Sequence, residues 1–179
     1  MGKTNSDFYD WSMNFWVGCH SVSPGCAHCY ARAQVQSYGR DFDAVVRSKT
    51  WNDPFKWQRN AAAAGKVEKV FACSWSDFFH PGADQWRADA WAIINHTPNL
   101  IWDILTKRAD LIADRLPEDW GEGYPNVRLG VTVEMRKYLW RIDTLRTIPS
   151  RSSRILSNSS WLSMICPTLL PVLTYTHRS

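Results

Sequence analysis

An α/β fold built on a parallel sheet is the class that this 179-residue sequence predicts. Three observations carry the expectation. Apolar strands alternate with amphipathic helices along the chain, a pattern that yields parallel strands joined by right-handed crossovers. The strands are continuous apolar runs rather than alternating ones, as expected when both faces of a sheet are covered. Polar and thiol side chains gather just past the C-terminal ends of those runs, where parallel sheets assemble their functional groups.

The elements follow in order. The first apolar stretch, NFWVG at 14–18, runs into the loop GCHSVSPGCAHCYAR at 18–32. A helix starts near Asp53, with Pro54 in its first turn, AAAA at 61–64 and Gly65 as its stop. KVEKVFACSW at 66–75 has the length and composition of a strand. ADQWRADAWAIINH at 83–96 places Trp86, Ala90, Ile93 and Ile94 at helical spacing, with Asp84 as N-cap. NLIWDILTKR at 99–108 is the next strand, ADLIADRL at 109–116 a short helix stopped by Pro117, and NVRLGVTVE at 126–134 a further strand. MRKYLWRIDTLRTI at 135–148 is helical, with Leu139, Ile142 and Leu145 on one side, and SRILS at 153–157 opens a fourth strand.

A chain of this length forms one domain with a sizeable core. No run of about 18 apolar residues exists to span a membrane. MGKTNSDFYDW lacks the apolar centre of a secretory signal, so a cytoplasmic location is expected, and five cysteines there do not suggest a disulfide framework. Residues 1–135 carry 14 basic and 16 acidic side chains, whereas residues 136–179 carry 7 and 1. The body is therefore near neutral, which argues against a phosphate-binding face on the core, and the basic end is expected to be solvated. Most of the eleven tryptophans are expected in the core, because Trp buries a large apolar area.

Cys19, Cys26 and Cys29 crowd one loop. Zinc would need a fourth ligand, for which His20, His28, Cys73 or His80 are candidates, and only one C-x-x-C knuckle is present. A cubane iron–sulfur cluster with one open iron would use the three thiolates alone. On ligand chemistry the two remain even. Cys73 lies inside an apolar strand and is expected to be a buried thiol, and His80 before Pro81 a turn residue. The remaining candidates line the same rim: Ser74, Ser76 and Asp77 after one strand, Thr106, Lys107 and Arg108 after the next, Thr132 and Glu134 after the third.

GCHSVSPGCAHCYA, FACSWSDFFH, ILTKRADLI and PNVRLGVTVE, in register from Asn14 to Pro149, resemble the consecutive motifs of a largely uncharacterised three-cysteine family associated with phages and bacteria. That family in turn resembles radical S-adenosylmethionine enzymes, most nearly those similar to spore photoproduct lyase. The resemblance implies a partial (βα) barrel with a [4Fe–4S] cluster on Cys19, Cys26 and Cys29. S-adenosylmethionine would chelate the open iron, with Tyr30 near its adenine. Ser74, Ser76 and Asp77 would hold its ammonium, in place of the glycine-rich stretch usual in such enzymes. Thr106, Lys107 and Arg108 would face its anionic groups or a substrate phosphate, and Thr132 and Glu134 its ribose or charged end. The implied reaction is hydrogen abstraction by a 5′-deoxyadenosyl radical from an unknown substrate, with a nucleic acid or nucleotide among the candidates; a partner protein is compatible with it. The spacing here is C-x6-C-x2-C, where most such loops have C-x3-C-x2-C. Residues 1–150 are expected to form the domain. Residues 151–179 form an atypical basic tail that departs from the family pattern, as a truncation or frame change would produce. The alternative function is a zinc-stabilised phage accessory protein without catalysis.

Overall fold

The computed structural model describes residues 2–4 and 8–151. In chain order the elements are β1 (Trp11–Met13), β2 (Trp16–Val17), α1 (Tyr30–Ser37), β3 (Val46–Arg47), α2 (Asp53–Ala63), β4 (Glu68–Ala72), α3 (Asp84–Asn95), β5 (Leu100–Thr106), β6 (Val127–Val131) and α4 (Trp140–Arg146). Four strands form one parallel sheet in the order β1-β4-β5-β6. Sheet order follows chain order, so each crossover steps to the next position. This is the progression of a (βα) barrel, whereas a doubly wound sheet reverses direction at a switch point. The expected α/β class is observed as a partial barrel of parallel strands.

Register rows explain the long apolar runs. Trp11, Val70, Trp102 and Val127 lie side by side across the sheet, as do Met13, Ala72, Ile104 and Leu129. Phe15 sits within the aromatic core, with ring centroids 5.4 Å from Trp102, 5.2 Å from Trp51 and 6.1 Å from Phe78. Trp16, Trp51, Trp57, Trp91, Trp102 and Trp120 are buried, as composition suggested, whereas Trp140 is 41% exposed. Helix α2 ends as expected at Gly65, whose φ of +60° allows Lys66 N–H to reach Ala61 O at 2.9 Å and Gly65 N–H to reach Ala62 O at 3.1 Å.

Four local expectations are corrected. The first sheet strand is Trp11–Met13, one step earlier than NFWVG. Beyond it the Asn14 side chain donates to Ser74 Oγ (3.0 Å) and accepts from Trp75 N (2.7 Å). Trp16–Val17 instead pairs antiparallel with Val46–Arg47. ADLIADRL forms two 3-10 turns, Ala109–Leu111 and Ala113–Arg115, because so short a stretch is a poor α-helix nucleus. MRKYLWRIDTLRTI divides into a 3-10 turn, Arg136–Tyr138, and α4. Asp84 is the first residue of α3 rather than its cap, and its carboxylate accepts from Arg87 and from Arg115 (2.9 and 3.1 Å). The expected strand at SRILS and most of the basic tail lie outside the described residues.

Candidate metal centre

The cysteine loop leaves the sheet edge at Gly18, whose φ of +109° and neighbours exclude a side chain. A Cβ there would stand 2.5 Å from Ala44 O. Gly18 N donates to Trp75 O (3.0 Å) and its carbonyl accepts from Ser76 Oγ (2.5 Å), so the base of the loop is tied to the segment after β4. Cys19 N donates to Phe42 O at 2.9 Å. A 3-10 turn at Pro24–His28 then carries Cys26, and Cys29 N–H closes on Cys26 O at 3.2 Å before α1 begins at Tyr30. All three thiols are free and half-buried.

The ends of β4, β5 and β6 meet this loop. Asp77 accepts from Thr106 Oγ1 (2.7 and 2.9 Å), Lys107 N (3.1 Å) and Phe79 N (2.9 Å), binding two strand ends together. Arg108, nearly buried, donates from Nη2 to His20 O (2.8 Å), and the same nitrogen stands 3.9 Å from Cys19 Sγ. Glu134 clasps the loop from the far side. It accepts from Ser23 Oγ at 2.6 Å and from Arg141 Nη1 at 2.7 Å, with Lys107 Nζ 3.8 Å away. Ser23 Oγ lies 3.7 Å from Cys26 Sγ. A Cβ at Gly25 would stand 3.0 Å from Glu134 Cγ and Oε1, so glycine is what lets the carboxylate approach.

Ser74 and Tyr30 occupy the adjoining face. Tyr30 Oη donates to Ser74 O at 2.8 Å, and Ser74 Oγ shares hydrogen bonds with Ser12 (2.9 Å) and Asn14 (3.0 Å). These contacts bring Arg108 to Cys19, Glu134 and Ser23 to Cys26, Asp77 to Thr106 and Lys107, and Tyr30 to Ser74. They also commit Ser74, Ser76, Asp77 and Glu134 to contacts within the protein. Thr132 Oγ1, Arg141 Nε and Arg108 Nε are buried without a hydrogen-bond partner, although Arg108 Nε is ion-paired with Asp77 Oδ2 at 4.0 Å.

The thiols differ. Burial, then the Asp77 carboxylate, push Cys19 up to about 11, against the opposing pull of Arg108. Burial also acts to raise Cys26, but the backbone amides of Val22 and Ser23, the Ser23 hydroxyl and Lys107 together hold it below the ordinary thiol value. Cys26 is the readier thiolate.

Sequence reasoning did not anticipate the histidine pair. His80 Nδ1 accepts from Gly82 N (3.0 Å), so its Nε2–H donates to His20 Nδ1 (3.1 Å), and His20 Nε2–H donates to Asp43 O (2.9 Å). All four ring nitrogens are engaged, and His80 serves the turn that Pro81 signalled. Cys73 is buried at 4% exposure with a φ of +57° in the core, and His28 is exposed. None of the four candidate zinc ligands joins the thiols. Among the described residues no three His, Cys, Asp or Glu side chains converge tightly enough for a single metal ion. Three free thiols with Arg108 and Lys107 beside them are soft donors of the kind that bind zinc or an iron–sulfur cluster. Arg141, 1% exposed and donating to Thr132 O (2.9 Å) as well as to Glu134, was also missed. It is the second residue of α4, seven positions after Glu134, a separation with no local sequence signal.

A parallel sheet in chain order, with a three-thiol loop at its strand ends, makes this a partial (βα) barrel. Two solved structures share that fold with this chain. One is a spore photoproduct lyase complexed with dinucleoside spore photoproduct, at TM-score 0.58 and 13% identity, with 86% of this chain and 47% of that one covered. The other is a spore photoproduct lyase double mutant with bound AdoMet and dinucleoside spore photoproduct, at TM-score 0.52 and 16% identity, covering 76% and 38%. The chain thus spans less than half the length of either. No curated protein matches it in sequence. The chain belongs to the family described as protein of unknown function (DUF5131), whose profile matches residues 3–171.

Proposed function

We propose that this protein is an iron–sulfur enzyme of the radical-SAM type acting on a nucleic acid or nucleotide. The observation that carries the reading is the placing of three free thiols, Cys19, Cys26 and Cys29, on one loop over the C-terminal ends of a barrel-ordered sheet. These cysteines would hold a [4Fe–4S] cluster. When bound and reduced by an external one-electron donor, the cluster with S-adenosylmethionine supplies reductive carbon–sulfur cleavage and a 5′-deoxyadenosyl radical.

The chain's own residues hold and shape the site. Arg108 and Lys107 place positive charge beside Cys19 and Cys26, which favours their thiolates. Thr132 Oγ1 is a buried polar atom without a hydrogen-bond partner that could meet a ligand's hydroxyl or carboxylate, and Arg108, whose Nε is 4.0 Å from Asp77 Oδ2, adds positive charge. Asp77 and Glu134 act as positioning residues, one locking strand ends and the other locking the loop. Tyr30, 61% exposed at the start of α1, presents an aromatic face beside Cys29.

Iron, sulfide and zinc content after anaerobic reconstitution tests the reading, with Cys26→Ala alongside. About four irons and four sulfides per chain, lost in the variant, and a change in the cluster's electron-paramagnetic spectrum on adding S-adenosylmethionine are expected. One zinc and no iron would overturn the reading in favour of a zinc-stabilised accessory protein.

A further inference from the structure

A cleft of about 880 Å³ opens beside the metal centre, between the β2–β3 ribbon, α1 and the β1 edge of the sheet. Its wall carries Lys3, Arg40, Arg47 and Lys49 against a single carboxylate, Asp41. Among the described residues none of these four cations has an acidic partner within ion-pair distance, although eight such pairs form elsewhere. Asp41 is engaged in its own turn, accepting from Asp43 N at 2.9 Å. The near-neutral charge of residues 1–135 conceals this local excess.

Two further features indicate what the cleft binds. The Arg47 guanidinium carbon stands over the Trp51 ring, 4.2 Å from its centroid, a cation–π contact that holds the side chain while its N–H donors remain to meet a phosphate. Trp75, half-buried, lines the same cleft and is held by Nε1–H to Gln34 Oε1 at 3.0 Å. A cationic groove with an ordered aromatic is the combination that tracks a phosphate backbone and stacks a base. Ser74 connects cleft and centre, because it lines the cleft while its carbonyl accepts from Tyr30, next to Cys29.

We infer that this cleft binds a single-stranded stretch of nucleic acid and leads it to the cysteine loop. The inference deepens the nucleic-acid side of the proposed function, and its test does not depend on iron.

The experiment is fluorescence anisotropy with a labelled oligothymidylate of about 12 nucleotides, with iron content measured on the same samples. Wild-type affinity should fall with salt between about 50 and 200 mM, with a log–log slope near −3 for four phosphate contacts. Replacing Arg40, Arg47 and Lys49 together by Gln should bring the slope to about −1 and weaken binding by about tenfold or more at low salt. Trp75→Ala should weaken binding about tenfold at an unchanged slope. Lys56→Glu with Arg59→Glu, on exposed α2 positions outside the cleft, should leave binding as in the wild type.

No binding by the wild type, or equal binding by the cleft and α2 variants, overturns the inference. Equal binding of polyglutamate would transfer the cleft to an acidic protein partner, and equal binding of the mononucleotide to a small anion; both overturn it. The wild-type salt slope is informative even if a variant fails to fold. Oligonucleotide binding without iron would refute the proposed enzyme and keep the cleft, while iron without binding would do the reverse.

Discussion

Glu134 and Gly25 act at the scale of single residues to hold the cysteine loop against β6. Removing the carboxylate with Glu134→Ala should weaken iron retention by about tenfold or more, the usual cost of losing a group that orients a metal ligand. Glu134→Gln keeps an acceptor for Ser23 and should retain most of the iron, so equal losses in the two variants would refute a positioning role. Gly25→Ala should match the alanine variant, because its Cβ would meet Glu134 at 3.0 Å. His80 makes stability depend on pH. Burial, then Arg108 and His20, hold it down at about 4 against an ordinary 6.5, with Asp77 opposing and Arg87 adding to the depression. The folded state keeps this ring neutral while the unfolded chain protonates it. Its contribution is therefore complete above pH 6.5 and is lost as pH falls towards 4. Melting temperature followed across that window should drop in the wild type and drop less in His80→Gln; parallel curves would remove His80 as the cause.

At the scale of elements, stability rests on the aromatic layer beneath the strand ends. Trp102 in β5 is fully buried, and its Nε1–H donates to Thr97 Oγ1 at 3.0 Å. Trp102→Ala should cost about 3–5 kcal/mol in urea unfolding. Trp140→Ala, at a largely exposed position on α4, should stay within about 0.5 kcal/mol. Similar losses at both sites would mean that the core is distributed differently. The turn at Gly18 is a second element-scale constraint. Gly18→Ala adds a Cβ 2.5 Å from Ala44 O at a left-handed φ, which should displace Cys19 and lower iron uptake along with stability.

For the whole molecule, the parallel sheet predicts a gradient of protection. β4 and β5 are paired on both sides within the sheet, while among the described residues β6 has one neighbour and β1 has one neighbour and an antiparallel bridge to Lys3. Amide exchange should be slowest in β4 and β5 and faster in the cysteine loop, whose turn is held by a few local bonds. Uniform exchange across the sheet would contradict that gradient. The same sheet accounts for where function collects. Asp77, Thr106, Lys107, Arg108 and Glu134 follow three different strands, and in-register parallel pairing carries their segments to one rim.

The apolar runs, the helix stop at Gly65 and the polar residues that follow the strand ends were legible in the amino-acid sequence, because burial and turn chemistry are written locally. The crowding of three cysteines was legible for the same reason. Pairings between distant segments were not. Glu134 meets Ser23 across 111 positions and His80 meets His20 across 60, contacts that exist only once the strands align. The cationic cleft was hidden too, since a summed charge averages Lys3, Arg40, Arg47 and Lys49 with acids placed elsewhere. Local chemistry thus determined the elements and their reactive groups. The tertiary structure alone decided which polar groups are spent on holding the loop and which remain for a ligand, because that division depends on distances between parts of the chain that are far apart in sequence.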